Sequence, residues 1–355
     1  MRLQPSEPLR FQPGPHPALA ANDASERDLW REWDVLADRM AAPPFLRPAW
    51  FVAWQRAYGD GDLRVLSVRE GDRLAGVLPI EVRGRATLSP TNTHTPLFGP
   101  IAESPEVERA LATELLHQCG GRIELCYLDP GTTFADSLRG SDRVVRVDTV
   151  LRSPHLSLAE DAPKPPRKLL KELRRQRRRL EEQGLVDVTV HETVRGIESA
   201  IEEFVHVEAS GWKAEQGTAI ASRDASARFY EEIARWAAQL GWLRLYFLRL
   251  EGRPIAAEFD IECAGALYAL KSGFDPEFRA FGPGQLLTGE CIAAATEAGL
   301  STYEFLGTDE PYKLMWTSAT RERVRMQAFP PTVAGRAQAL SRTRVRPLAR
   351  RLLRR

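Results

Sequence analysis

The chain has 355 residues, 43% of them hydrophobic and 27% charged, a balance that fits a globular protein and excludes a disordered or fibrous one. At ~150 residues per domain this length suggests about two domains, each able to bury a core. Net charge is only +1, which excludes a uniformly basic or acidic chain, yet nine Lys or Arg and one acid (Glu172) fall between Lys164 and Arg179, and eight Arg and no acid between Arg336 and Arg355.

Cys119, Cys126, Cys263 and Cys291 show no CxxC or other metal spacing, and the six histidines form none either. The thiols are expected to be buried in a reducing compartment, and no metal is expected. No apolar run reaches ~18 residues, so no membrane span is expected. The N-terminus lacks an apolar signal core, so a cytoplasmic protein is expected.

Residues 1–22 hold five prolines and no periodicity, and read as a loose tail. Asp28–Met40 and Pro48–Tyr58 read as helices. Leu63–Val68 and Leu74–Val82 read as a hairpin across Arg69-Glu-Gly-Asp. A Thr- and Pro-rich loop at 89–100 carries Asn92 and His94. Pro105–Gln118 is helical, and Ile123–Leu128 and Arg143–Val147 are short strands. This makes residues 23–152 a mixed α/β half. Residues 153–166 hold four prolines and read as a linker. Arg167–Gln183 is a basic helix with a leucine stripe, stopped at Gly184. It is either a solvated helix or a positive wall beside an anionic ligand.

The second half, 167–330, continues with strand Val186–His191 and helices Ile197–Ala214 and Ala225–Leu240. Strands Leu243–Leu250, Pro254–Glu262 and Ala266–Ser272 come next. Arg279-Ala-Phe281-Gly282-Pro283-Gly284 then leads into an apolar helix at Gln285-Leu286. Glycines allow close backbone approach, and Pro283 suits a first helical turn. The N–H groups of Gly282, Gly284 and Gln285 are expected to face outward at the positive end of the helix dipole, as a phosphate or pyrophosphate site, with Arg279 adding charge. Thr302–Leu306 and Arg323–Phe329 are the last strands. The Arg/Leu tail from 331 to 355 reads as a basic tail or as a helix on an anionic membrane surface.

This element order and the R-x-x-G-x-G turn resemble the GNAT (Gcn-five-related N-acetyltransferase) fold, whose matching turn holds the pyrophosphate of acyl-CoA. A closer resemblance is to the CelD-like acetyltransferases, related to the FemAB aminoacyl transferases. It is carried by GRPIAAEF (252–259), the Tyr268–Asp275 run, GPGQLL, and FLGTDEPYKLMWT (305–317), with the basic helix and LRPAWFVAW (46–54) beside them. It covers roughly residues 30–330. Relatives often carry Asn near the position of Glu172, so a substrate contact there is in doubt.

The resemblance implies an α/β chain of two tandem GNAT-like halves, each a mixed, mostly antiparallel sheet flanked by helices. It implies transfer from acetyl-CoA or another acyl-CoA to an amine or sugar-type acceptor, in polysaccharide or envelope biosynthesis. The alternatives are a FemAB-like aminoacyl-tRNA-dependent transferase, with tRNA the one nucleic acid expected, or a non-catalytic scaffold. The first half has no R-x-x-G-x-G turn, so one donor site is expected, in the second half.

Such transfer needs a held donor, a base and stabilisation of the developing oxyanion. Strand alternation puts Glu258, Asp260 and Glu262 on one face, by default an exposed one. In GNAT-like enzymes this strand often bears the base, which points to Glu258. Asp309 and Glu310, on a loop after a strand, compete with it. FemAB-type resemblance implies a charge-stabilising role for Lys313. Tyr312 and Trp316 sit beside it as packing or substrate contacts. Lys271 is placed to meet a phosphate or to pair with Asp275. Asn92 and His94 are candidate acceptor contacts in the cleft between halves.

Overall fold

The computed structural model describes residues 24–210 and 224–339. The expected N-terminal tail, most of the C-terminal basic tail, and the expected end of helix 197–214 past Ser210 lie outside these residues. No helix among the described residues is long and apolar enough to cross a membrane.

The first half opens with helices α1 (Ala24–Arg39) and α2 (Pro48–Tyr58) and the hairpin β1 (Asp62–Glu70) and β2 (Arg73–Arg83). It continues through β3 (Ala86–Leu88), β4 (Ile101–Ala102), α3 (Pro105–Gln118), β5 (Ile123–Leu128), α4 (Thr133–Arg139) and β6 (Val144–Ser157). The second half runs α5 (Arg167–Glu181), β7 (Val186–His191), α6 (Ile197–Ser210), α7 (Asp224–Gln239), β8 (Leu243–Leu250), β9 (Arg253–Cys263) and β10 (Ala266–Phe274). A 3-10 turn (Pro276–Phe281) then leads to α8 (Pro283–Glu297), β11 (Thr302–Glu304), α9 (Pro311–Leu314) and β12 (Thr320–Phe329).

These strands form one mixed sheet, in the order β1-β2-β3-β5-β12-β6-β11-β10-β9-β8-β7, with β4 on β2. Strand β6 corrects the sequence reading. A short strand ending at Val147 is in fact 14 residues long and enters the Pro-rich stretch. Pro154 sits where β6 changes partner, pairing with β12 up to Pro154 and with β11 from His155 to Ser157. A missing N–H is tolerated at such a switch. Strand β12, the last in sequence, lies between β5 and β6, so a strand of the second half completes the sheet of the first.

Three apolar cores flank the sheet. One lies under α1, α3 and α4. A second joins Phe45, Trp50 and Trp54 of the first half to Phe204, Phe229 and Ile233 of α6 and α7. A third packs Leu169, Leu173 and Leu180 of α5 with Leu287 and Cys291 of α8. Strand β9 is therefore covered on both faces and almost wholly buried.

One irregularity opens the sheet. Strands β10 and β11 are parallel neighbours only from Ala266–Tyr268 against Thr302–Glu304. Beyond that point β10 runs on to Phe274, bulging between Ala269 and Lys271, while the chain leaves β11 through a turn with positive φ at Leu306 (54°) and Gly307 (61°). The separating strands leave a wedge, and the N-terminus of α8 closes one side of it.

Candidate functional site

Two adjoining cavities occupy the wedge. One, of about 470 Å³, is lined by Gly273 and Phe274 of β10, Gly282–Gln285 of the turn, and Pro311. The other, of about 160 Å³, is lined by His94, Tyr230, Glu258, Lys271, Tyr303 and Lys313, among others. Ser272, Thr288, Glu310 and Tyr312 line both, so the two form one cleft.

Gly282 adopts a left-handed conformation (φ 62°, ψ 44°) as the N-cap of α8, with Pro283 next. The expectation of three outward N–H groups needs correction. The Gly282 N–H donates to the Arg279 carbonyl at 3.1 Å, closing the 3-10 turn. Pro283 has no N–H, which leaves Gly284 and Gln285 as the first helical donors without an intrahelical partner. Both line the larger cavity. Trp316, placed by sequence as a possible substrate contact, is buried instead, and its Nε1 donates to Gln285 Oε1 at 2.8 Å. It steadies a residue of the turn. Arg279 is exposed, and neither it, Phe281 nor Leu286 lines either cavity. Phe281 lies under the Arg179 guanidinium of α5, 5.3 Å from ring centroid to Cζ.

Helix α5 therefore borders this turn. Gly282 needs glycine for its φ, and a Cβ there would also press on the movable end of the Gln176 side chain, 2.5 Å away. Gln176 donates to Glu172 at 3.1 Å, and Arg175 donates to the same carboxylate. Glu172 organises the helix surface next to the turn and does not line the cleft.

Glu258 is 1% exposed, on the α8 face of β9 and at the cavity wall. The exposed-face expectation fails because α8 covers this strand. Thr288 Oγ1 donates to one Glu258 oxygen at 2.9 Å and the Tyr303 hydroxyl donates to the other. Both donors favour an ionised carboxylate. Glu262, further along, pairs with Arg244 at 2.8 Å and stays out of the cleft.

Of the competing acids, Glu310 lines both cavities, whereas Asp309 is exposed and lines neither. Lys313 is 5% exposed, and its Nζ donates to Leu306 O (2.8 Å), Thr308 O (3.2 Å) and Glu310 Oε2 (2.7 Å). These three contacts exhaust an ammonium's donors. The geometry makes Lys313 a brace for the positive-φ turn, and burial lowers its pKa against the pull of Glu310. Lys313→Met is expected to cost roughly 2–3 kcal/mol, from loss of charge-assisted bonds to a strained loop. Thermal unfolding will show this as a fall in Tm; an unchanged Tm would refute the brace.

Lys271 points elsewhere than expected. Asp275 pairs with Arg253, and Lys271 lies by Tyr230, its Nζ 5.9 Å from the ring centroid. It lines the smaller cavity, and burial lowers its pKa while Glu208 opposes the shift. Glu208, which sequence reasoning missed, is wholly buried on α6 and lines the larger cavity. Its backbone explains Gly273: a Cβ there would fall 2.5 Å from the Glu208 Cα.

The first half contributes His94. The ring stacks on Tyr58 at 5.5 Å, and its Nδ1 lies 3.1 Å from the Tyr230 hydroxyl. Asn92 lines neither cavity; its Oδ1 accepts from the His94 N–H at 2.9 Å, fixing the loop. Trp50 holds the same loop through a 3.0 Å bond to Thr95 Oγ1. Tyr230, Ser272, Thr288 and Tyr303 also line the cleft without a motif to announce them. Only their helical or strand phase relative to Glu258 and Lys271 hinted at this.

Residues 167–314 match a family model described as an acetyltransferase (GNAT) domain. Among solved structures, the chain is similar to the C-terminal domain of a putative lysylphosphatidylglycerol synthetase from Agrobacterium fabrum (TM-score 0.56, 14% identity, covering 88% of this chain and 94% of that one). It is also similar to L-PGS from Bacillus licheniformis (TM-score 0.53, 13% identity, 83% and 96%). A third is FemX (TM-score 0.55, 14% identity, 89% and 98%). No curated protein matches the sequence. At such identities these likenesses show the fold, a large mixed sheet flanked by helices and GNAT-like, as expected from the sequence.

Proposed function

We propose that the chain is an acyl-CoA-dependent N-acyltransferase, of the CelD-like kind, that acylates an amine acceptor. The observation that carries this is the continuous cleft: an α8 N-terminus with two outward N–H donors at one end and a buried, hydroxyl-bonded Glu258 at the other. The donor's pyrophosphate suits the helix N-terminus, where partial positive charge and N–H groups converge. Beyond Tyr268, β10 parts from β11, and the gap gives room for an extended amide arm. The acceptor enters on the His94 side. Its nitrogen attacks the thioester carbonyl carbon, the C–N bond forms and the C–S bond breaks. Glu258 takes the ammonium proton, and the thiolate takes a proton from solvent.

Domain roles follow from this. Residues 167–330 would hold the donor and the chemistry, and 23–152 would supply acceptor contacts through His94. A polysaccharide or envelope precursor bearing an amine fits the implied setting.

A second reading has a specific observation behind it. Arg167, Lys168, Lys171, Arg174 and Arg178 are exposed along α5 and make no ion pair among the described residues. Such a face, bordering the donor turn, would suit the phosphates of an aminoacyl-tRNA.

Calorimetric titration with acetyl-CoA separates the two. The expected result is micromolar binding. No binding at millimolar acetyl-CoA, with tRNA retained at low salt, would replace the first reading with the second.

A further inference from the structure

Asp260 follows Glu258 by two residues on β9, which places both carboxylates on the α8 face. Asp260 is completely buried, and neither of its carboxylate oxygens has a hydrogen-bond partner. One of its oxygens, one of Glu258's and the Cys291 Sγ all lie within 4.8 Å of one another. Among the described residues, no cation forms an ion pair with Asp260. Strand β8 places Arg244 opposite Asp260 and Tyr246 opposite Glu258, but the Arg244 guanidinium is engaged by Glu192 and Glu262. Strand β10 places Ala269 opposite Asp260, while its Lys271 faces Tyr230 and Glu208. Helix α8 supplies the Cys291 thiol, which burial keeps protonated, and β11 supplies Tyr303. Beyond Glu258 itself lies Tyr312.

Two carboxylates this close and this buried cannot both ionise. The donors decide which one does. Glu258 accepts from Thr288 and Tyr303, whereas Asp260 accepts from nothing. We propose that Asp260 is a positioning residue that carries the proton of this pair, so that the single negative charge rests on Glu258 at the cavity wall. This rests on the reading of Glu258 as the base. Burial and the Glu258 charge both hold the Asp260 carboxyl well above the usual carboxylate range. The two carboxyls titrate as a coupled pair, which holds its proton on Asp260 at neutral pH. When the acceptor delivers its proton to Glu258, the pair holds two. Glu258 returns one to solvent through the open cavity before the next turnover. A metal ion could also gather these three groups, but both Glu258 oxygens already accept hydroxyl protons.

The test is infrared difference spectroscopy of the purified protein at pH 7, with Asp260→Asn and Glu258→Gln. The expected result is a protonated-carboxyl C=O stretch in the wild type, kept in Glu258→Gln and lost in Asp260→Asn. Its absence from the wild type, or its loss in Glu258→Gln with retention in Asp260→Asn, overturns the proposal. If the band behaves as expected but Glu258→Gln transfers acyl groups at the wild-type rate, the proton assignment stands and the base reading alone falls. Thermal unfolding gives a second readout. Asp260 has a folded pKa above its unfolded value of ~3.9, so it costs wild-type stability as pH rises from about 4 toward the folded value. The Tm advantage of Asp260→Asn over wild type should therefore widen from pH 4 to pH 7. A pH-independent difference refutes the proposal.

Discussion

Glu258→Gln is expected to lower acyl transfer at least ~100-fold while leaving acetyl-CoA affinity within about twofold of the wild type. The amide keeps the shape of the side chain and still accepts one hydroxyl proton, so the cavity wall persists. It cannot take the proton that the attacking ammonium must lose. Single-turnover transfer to an amine found by screening, with calorimetry on the same preparation, measures both quantities. A variant that keeps its rate would move the base elsewhere in the cleft, and Glu310 would be next, since it alone of the loop acids lines both cavities.

Gly284→Leu is expected to abolish donor binding, with at least a 100-fold loss of acetyl-CoA affinity, about 2.7 kcal/mol, and little change in Tm. Gly284 lies in the first turn of α8 with no positive φ, and a Cβ there would meet only the Phe274 ring, at 3.4 Å. The fold can accept a side chain at this point, but the cavity cannot, because the residue forms its floor. Gly282 would be a poor choice for the same experiment. Its φ of 62° strains any other residue there, so a substitution would be a folding defect as well. Calorimetry and thermal unfolding together decide the matter: retained affinity in a folded Gly284→Leu protein would remove the pyrophosphate from this turn.

The two experiments address residues that were legible to very different degrees. Periodicity and punctuation located most elements of the second half. Proline at the first position marks α2 and α8, α5 closes at Glu181, shortly before Gly184, and alternating apolar runs make β8, β9 and β10. These are local signals, and local backbone preferences obey them. The turn at 279–284 was readable for the same reason, since its glycines and proline answer to φ and to space within a few residues. Even there, only the structure showed that the Gly282 N–H is spent on the 3-10 turn.

The rest depended on partners distant in sequence. The far end of β6, from Ser153, read as linker because that stretch is rich in proline, and nothing local shows that β11 and β12 both need the strand. Glu258 and Asp260 alternate like an exposed acidic face. Their burial comes from α8, 30 or so residues on, whose Thr288 and Cys291 cover that face. Lys313 resembled a free cation, and three oxygens of its own loop hold it. Burial and hydrogen bonding are properties of the packed molecule. Sequence by itself determined most of the elements, the mixed α/β class and the Gly-Pro-Gly turn; tertiary structure alone decided which charged groups lost their water, and so which of them can do chemistry.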